Sequence, residues 1–294
     1  GDVYKRQVLF GAVGDPKYDN DPTAKIRPEE GLLRMRKKLG LYANIRPTYT
    51  FDSLLEKSPI KKSIIQGTDL VFVRELTGGI YFGKRGRNKT DDYAYDTCEY
   101  NVNEIKRLAK IGFELAMKRS KKLCCIDKAN VLETSRLWRQ TVQSLEKNYP
   151  EVNVSYEFVD AVAMRLIHSP SYYDVLITSN LFGDILTDEA SVISGSMGLM
   201  PSASVGVETS IYEPIHGSFP QAKGKNIANP LATILSASMM FERSFHLNEE
   251  SKLIRDLVNE SISNNIVTKD LSGDGKPFTT TEVGDWIVDR IRKG

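Results

Sequence analysis

Two hydrophobic rhythms alternate along this chain. Short apolar runs read as buried strands, and stretches whose apolar residues recur every third or fourth position read as helices packed on them. The runs Leu70 to Val73, Leu123 to Ile126 and Tyr173 to Ile177 are of the first kind, and the first two end at Arg74-Glu75 and Asp127-Lys128. Residues 152–159 alternate apolar and polar and end at Asp160. Between these runs, Asn103 to Lys118 places Ile105, Leu108, Ile111 and Leu115 on one helical face. Thr134 to Asn148 reads as a helix stopped by Pro150, and Ala161 to His168 as one stopped near Pro170. Another helix opens near Leu181 or Phe182. Later, Asn229 to Arg243 is a long apolar helix entered through Asn-Pro, and Glu249 to Asn264 is amphipathic. Thr280-Thr281-Glu282 caps a last helix through Ile291. This βαβα order predicts an α/β fold, a mostly parallel sheet covered by helices. No repeat or low-complexity linker interrupts it, so a domain boundary falls in ordered crossings.

A length of 294 residues accommodates two ordinary domains or one large α/β domain, and an apolar fraction of 40% supplies a substantial core. A formal charge of +2 is too balanced for a nucleic-acid or membrane-surface binder. No window approaches the run of about eighteen apolar residues that spans a bilayer, and no secretory signal is present. Cys98, Cys124 and Cys125 form no C-x-x-C pair and leave an odd count, which predicts reduced thiols in a cytoplasmic setting. Residues 1–7 read as foreign, because a polar run abuts the apolar Val8 to Val13 with no turn chemistry and no initiator Met.

Candidate chemistry lies where the strands end, since ligands of open parallel sheets sit at their carboxyl ends. Those ends carry Arg74, Lys128 with Asn130, Asp160, and Asn180 with Asp184. Asp184 and Asp188, four residues apart, share one face of the helix that begins near Leu181. Two carboxylates so close repel unless a cation lies between them, and a divalent metal held by oxygen ligands answers that need; solvated acids at the positive end of a helix are the alternative. Upstream, Arg36 and Arg46 join Arg74 as a set able to clamp a small di-acid through bidentate guanidinium contacts. Leu32 and Leu33, one turn before Arg36, are either core or an aliphatic wall for a branched substrate. Residues 78–84 satisfy G-x-x-x-x-G-K, but Arg85 replaces the hydroxyl residue and a polar stretch follows instead of a helix, so this is not a phosphate loop. A metal-dependent phosphohydrolase would need such a loop. A non-catalytic interaction protein would have no reason to converge these charges.

The long segments 11–19, 31–47, 73–83, 127–139, 179–204 and 212–230 resemble, in this order, the isocitrate/isopropylmalate β-decarboxylating dehydrogenases. The wording of LTGGIYFG, at 76–83, and GLL, ahead of Arg36, resembles the isopropylmalate branch. The resemblance implies a two-domain α/β fold, with residues 1–41 and 196–294 forming a discontinuous NAD-binding domain and 42–195 a substrate, metal and dimerisation domain. It further implies that Arg36, Arg46 and Arg74 bind substrate carboxylates, and that Leu32, Leu33 and Val131 form an isopropyl pocket with Glu29 at its rim. Asp160, Asp184 and Asp188 would hold Mg²⁺ or Mn²⁺, with Asp160 also facing substrate. Tyr81 and Lys128 would be the acid–base pair. Asn130, Glu213, His216, Gly217, Ser218, Gln221 and Asn229 would contact NAD. Lys128 and Asp160 would serve the site of a second copy, making a homodimer with shared active sites. The activity implied is NAD-dependent oxidative decarboxylation of 3-isopropylmalate to 4-methyl-2-oxopentanoate, a step of leucine biosynthesis, with malate, tartrate or homoisocitrate as the alternative substrates.

Two departures change the expectation. The family's opening strand, glycine-rich turn and helix have no counterpart here, which predicts a poorly active and marginally folded chain as given. Gln221 stands where NAD-using members carry an aspartate on the adenosine ribose. A neutral amide with Lys223 nearby repels a 2′-phosphate less. NAD remains the expected cofactor because the Lys-Tyr pair of NADP users is absent.

Overall fold

The computed structural model describes residues 7–19 and 27–293; most of the segment read above as foreign, residues 1–6, lies outside them. Ten strands appear among the described residues: β1 (Val8–Leu9), β2 (Ala43–Tyr49), β3 (Asp69–Glu75), β4 (Arg85–Arg87), β5 (Ala94–Asp96), β6 (Lys122–Asp127), β7 (Asn153–Phe158), β8 (Val175–Thr178), β9 (Pro201–Val205) and β10 (Ser210–Pro214). The helices are α1 (Pro16–Asp19), α2 (Pro28–Lys38), α3 (Lys62–Ile65), α4 (Val102–Lys118), α5 (Glu133–Glu146), α6 (Val159–His168), α7 (Asn180–Ser194), α8 (Leu231–Met240), α9 (Asn248–Ser263), α10 (Lys269–Ser272) and α11 (Thr280–Lys293). The expected strands and long helices are thus present with ends shifted by a few residues. Asp160 is the exception in kind, since β7 stops at Phe158 and Asp160 sits in the first turn of α6.

Eight strands form one sheet in the order β1-β10-β9-β2-β3-β8-β6-β7, and β4 pairs with β5 in a separate hairpin. The β3-β8-β6-β7 half is parallel, as the βαβ rhythm predicts. The β10-β9-β2-β3 stretch is antiparallel. Pairing of β2 with β9 stops at Ile45, two residues before Pro47, whose ring has no N–H for a ladder.

Helices cover both faces of the sheet. On one face α4 and α5 pack against β3, β6 and β8 through Ile105, Leu108, Phe113, Trp138, Val73, Cys125 and Ile177. On the other, α6 and α7 pack through Val162, Leu166, Leu186, Phe72, Cys124 and Leu176. The adjacent Cys124 and Cys125 therefore point into opposite cores, as successive strand residues must, and all three cysteines are free thiols. A third core joins Leu231 and Leu235 of α8, Val258 and Ile262 of α9, and Val283 and Ile287 of α11. Helix α8 ends at Met240 and continues as a π-turn over Phe241–Phe245, earlier than its apolar run suggests.

The contact between α4 and β8 is close. A Cβ on Gly112 would lie 2.3 Å from Ile177 Cγ2. Gly112→Ala gains up to about 1 kcal/mol of helix propensity, but the branched Ile177 cannot swing away, and overpacking costs about 1–3 kcal/mol. Chemical denaturation should show a net loss of about 1 kcal/mol; a more stable variant would mean that α4 has room to lift.

Candidate active site

Register in the antiparallel pair β2–β3 builds the heart of the site. Asn44 lies opposite Arg74, and Arg46 is two residues from Asn44, so all three project from one face of the sheet. Phe72 and Leu70 share that face and anchor α7 over it. Gly183 lets the helix come down: a Cβ there would lie 2.6 Å from Arg74 Cγ and 2.9 Å from Arg74 Cβ. Asp184, Thr187 and Asp188, on the turns that follow, then face the two guanidiniums.

Arg46 and Arg74 are almost wholly buried, at 5% and 2% exposure. Arg46 hydrogen-bonds through Nε to Asn44 Oδ1 and through Nη1 to Thr187 Oγ1, and lies 4.0 Å from Asp184 and 3.9 Å from Asp188. Arg74 Nη1 donates to Asp184 Oδ1, and the Tyr81 hydroxyl donates to Asp184 Oδ2 at 2.8 Å. Burial, and then the neighbouring Arg74, pulls the Arg46 pKa down to about 9. Arg74 is lowered too, chiefly by burial. Burial pushes the Asp184 carboxyl upward, but Arg74, the Tyr81 hydrogen bond and Arg46 outweigh it, and its pKa is lowered. Asp188 goes the other way: burial and the adjacent Asp184 raise it, against the pull of Arg46. Tyr81 is pushed up to about 12 by burial and then by its bond to Asp184.

Arg36 completes the cationic set from α2. Its Nη2 donates to Glu213 Oε1 of β10 at 2.9 Å, while its Nε is buried with no partner. It is near enough to depress both Arg46 and Arg74. Leu32 and Leu33 are half-buried on the same helix; Glu29 is exposed, with Oε1 3.3 Å from where a Cβ of Gly14 would stand.

The structure therefore brings together Arg36, Arg46, Arg74, Tyr81, Asp184 and Asp188. Glu213 joins them through Arg36, whereas Lys128, Asn130, Val131 and Asp160 lie elsewhere on the single chain. Lys128 Nζ is paired with Asp160 Oδ1, with Asn130 and Val131 exposed beside it. That pairing lowers the Asp160 pKa. Among the described residues no three His, Cys, Asp or Glu side chains gather as a metal site. The loop after β10 keeps Gly217, Ser218 and Gln221 exposed. His216 Nδ1 is 2.9 Å from Gly217 O, and Ser218 N donates to Val13 O at 3.1 Å. Asn229 caps the start of α8, accepting from Leu231 N at 2.9 Å and donating to Asp270 at 3.0 Å. Glu213, expected near NAD, uses its carboxylate on Arg36.

Sequence reasoning did not single out Asn44 or Thr187 as part of this cluster. Asn44 and Thr187 are buried polar residues whose only signal is that each falls where an apolar residue would suit its element. A hard divalent ion suits what is here: Asp188 is a half-exposed carboxylate with no hydrogen-bonded cation, next to a second carboxylate, and all the donors are oxygen. That second carboxylate, Asp184, already accepts from Arg74 and Tyr81.

Comparison with known proteins identifies the family. The chain is 58% identical over 287 residues to a 3-isopropylmalate dehydrogenase of Bacteroides fragilis, covering 97% of this chain and 80% of that one. It is 48% identical over 290 residues to a 3-isopropylmalate dehydrogenase of Aquifex aeolicus, covering 97% and 79%. The crystal structure of isocitrate dehydrogenase from Methylococcus capsulatus superposes with a TM-score of 0.87 at 31% identity, over 98% of this chain and 82% of that one. Residues 3–287 match the isocitrate/isopropylmalate dehydrogenase family model. With basic and acidic residues gathered on one sheet face under α7, and with these matches running along nearly its whole length, the chain belongs to the isocitrate/isopropylmalate dehydrogenase family of oxidoreductases.

Proposed function

We propose that this chain catalyses the NAD-dependent oxidative decarboxylation of 3-isopropylmalate to 4-methyl-2-oxopentanoate. The observation that carries the reading is the set of buried guanidiniums, Arg36, Arg46 and Arg74, facing Asp184, Asp188 and Tyr81. Such a set matches a dianion presented with a divalent cation: three positive side chains meet two carboxylate ligands and a proton donor. Sequence identity of 48–58% to 3-isopropylmalate dehydrogenases supports the branched malate as that dianion.

Asp184 and Asp188, with Asp160 of a second copy, would hold Mg²⁺ or Mn²⁺, which supplies electrophilic stabilisation of charge developing on the substrate C2 oxygen. His216, Gly217, Ser218, Gln221 and Asn229, with Asn130, would hold NAD, which would supply the hydride acceptor. The residues of the chain do the rest. The three arginines hold the two carboxylates, so that the C2–H and the C3–carboxylate bonds are presented in fixed orientation. Lys128 of the second copy, carried there with Asp160, would take the hydroxyl proton as C2 is oxidised. The C3–carboxylate bond then breaks to release CO₂, and Tyr81 gives a proton to C3. Leu32, Leu33 and Val131 would wall the isopropyl group, with Glu29 at the rim. In this reading residues 1–41 and 196–294 form the NAD-binding part and 42–195 the substrate, metal and dimerisation part.

A homodimer is favoured by an apolar surface on the neighbouring helices α6 and α7, where Met164, Ile167, Ile185 and Val192 are exposed. Asp160 stands at the start of α6 and Asp184 near the start of α7, so a second copy covering that surface would bring such acids from two chains into one neighbourhood. Among the described residues no helix is long and apolar enough to cross a membrane.

The assay is NADH formation from 3-isopropylmalate with and without Mn²⁺. It is run on this chain and on an extended chain, in which the preceding segment of the Bacteroides fragilis relative is joined at Val8. Turnover that needs both substrate and metal is expected in the extended chain. Leu33→Asn should lower kcat/KM for 3-isopropylmalate by about tenfold to a hundredfold while sparing malate, since an aliphatic contact is worth about 1–3 kcal/mol. An unharmed 3-isopropylmalate reaction in that variant refutes the pocket, and preference of the parent for malate, tartrate or homoisocitrate refutes the substrate.

A further inference from the structure

We propose that Asn180 and Tyr100 are positioning residues that set the Arg74 guanidinium and the Tyr81 hydroxyl in fixed relation to each other, so that both converge on Asp184. The inference rests on the reading of Arg74 and Tyr81 as substrate-binding and proton-donating groups and adds residues that this reading does not use.

Asn180 is the first residue of α7 and is 1% exposed. Its carboxamide oxygen accepts from Arg74 Nη2 at 2.9 Å and from Nε at 3.2 Å, and its backbone oxygen accepts from Nε at 3.0 Å. The amide nitrogen of the same side chain donates to Gly78 O at 3.1 Å. Gly78 opens the single turn Gly79–Tyr81 that carries the Tyr81 ring. One side chain thus accepts from the guanidinium on β3 and donates to the turn bearing the phenol, which requires a group with both an acceptor and a donor of this size. With Asn180 holding its Nε and Nη2, Arg74 turns Nη1 toward Asp184, the acid that also accepts the Tyr81 hydroxyl.

Tyr100 fixes Asn180 in turn. Its hydroxyl accepts from Asn180 N at 2.9 Å, a donor with no partner within its own helix. Its ring lies against the same turn: a Cβ on Gly79 would stand 2.2 Å from the Tyr100 hydroxyl, and one on Gly78 2.8 Å from Cε1. The far side of the ring packs edge-on to the buried Trp138, with centroids 5.5 Å apart. Tyr100 therefore ties the turn, the start of α7 and the core on the α4–α5 side to one another. Neither Asn180 nor Tyr100 reaches the carboxylates of Asp184 and Asp188; each acts through Arg74 and Tyr81.

Two variants test this. Tyr100→Phe keeps the ring and removes the acceptor for Asn180 N. Asn180→Asp keeps acceptors for Arg74 and removes the donor to Gly78 O. Crystal structures read the outcome without any reaction: the Tyr81–Asp184 hydrogen bond should be lost in N180D, with the Arg74 contacts to residue 180 retained. In the extended chain, kcat should fall about a hundredfold in N180D, the cost of a misplacement near 1 Å, while KM changes less than about tenfold. Loss of one hydrogen bond should lower kcat about threefold to tenfold in Y100F. A merely structural role would move the melting temperature and leave kcat and KM per folded molecule unchanged, and that result overturns the proposal. So does an intact Tyr81–Asp184 bond in the N180D structure. Should N180D fail to fold, Y100F with unchanged kcat overturns it. A parent that does not oxidise 3-isopropylmalate refutes the functional reading instead, and the crystal structures still decide the positioning.

Discussion

Asp184→Ala should lower the unfolding free energy by about 2 kcal/mol and remove divalent-ion binding. The side chain accepts from Arg74 and from Tyr81, and it lies 4.0 Å from Arg46. Both arginines are buried, so the variant leaves two cations out of water with one partly exposed carboxylate, that of Asp188, for compensation. Removing one partner of a fully buried pair costs about 3–5 kcal/mol. Asp184 is 36% exposed, and water and screening reduce the figure. The effect has a pH signature. Because the folded-state pKa of Asp184 is lowered from 3.8, its contribution is present above the unfolded value and drains as pH falls through the folded one. Urea titrations at falling pH should therefore show the gap between parent and variant closing below about pH 4. A gap under about 0.5 kcal/mol at neutral pH would mean that the arginines do not depend on this acid.

Tyr81→Phe should lower kcat of the extended chain by about a hundredfold to a thousandfold with KM nearly unchanged, the range for loss of a general acid. The hydroxyl bonds Asp184, and phenylalanine keeps the ring that the Arg74 guanidinium faces at 5.9 Å, so carboxylate binding survives. Its pKa, pushed up to about 12 by burial and then by Asp184, keeps the proton in place across the working range. Spectrophotometric titration of the parent minus the variant should isolate one phenol near pH 12. Between about 10 and about 12 the folded state retains a proton that the unfolded state has lost, so stability falls as pH rises through that window. A difference spectrum centred near 10, or an unaltered kcat, would remove Tyr81 from the acid role.

Asp184 is legible without coordinates, whereas Tyr81 is reached only through the family resemblance. Asp184 and Asp188 share a helical face because their spacing is four, and the strand before α7 is mostly apolar. The parallel half of the sheet, and helices α4 to α7, α9 and α11, follow from local hydrophobic period in the same way. Strands β2, β9 and β10 carry little of that signal. They bury Asn44, Arg46, Thr48, Ser202, Ser204 and Glu213, and β2 contains Pro47, so their polarity hides them.

Amino-acid order thus settled which segments are strands and helices wherever burial is apolar, and which acids stand together on one turn of α7, because those properties depend on residues within a few positions of each other. It took the folded chain to decide the rest. The antiparallel register that sets Arg74 opposite Asn44, the partnership of Arg36 with Glu213 across 177 residues, and the bridge from Asn180 to both Arg74 and Gly78 all arise from long-range pairing. A buried polar group must find a partner wherever the backbone brings one near, and no local pattern records which one that is.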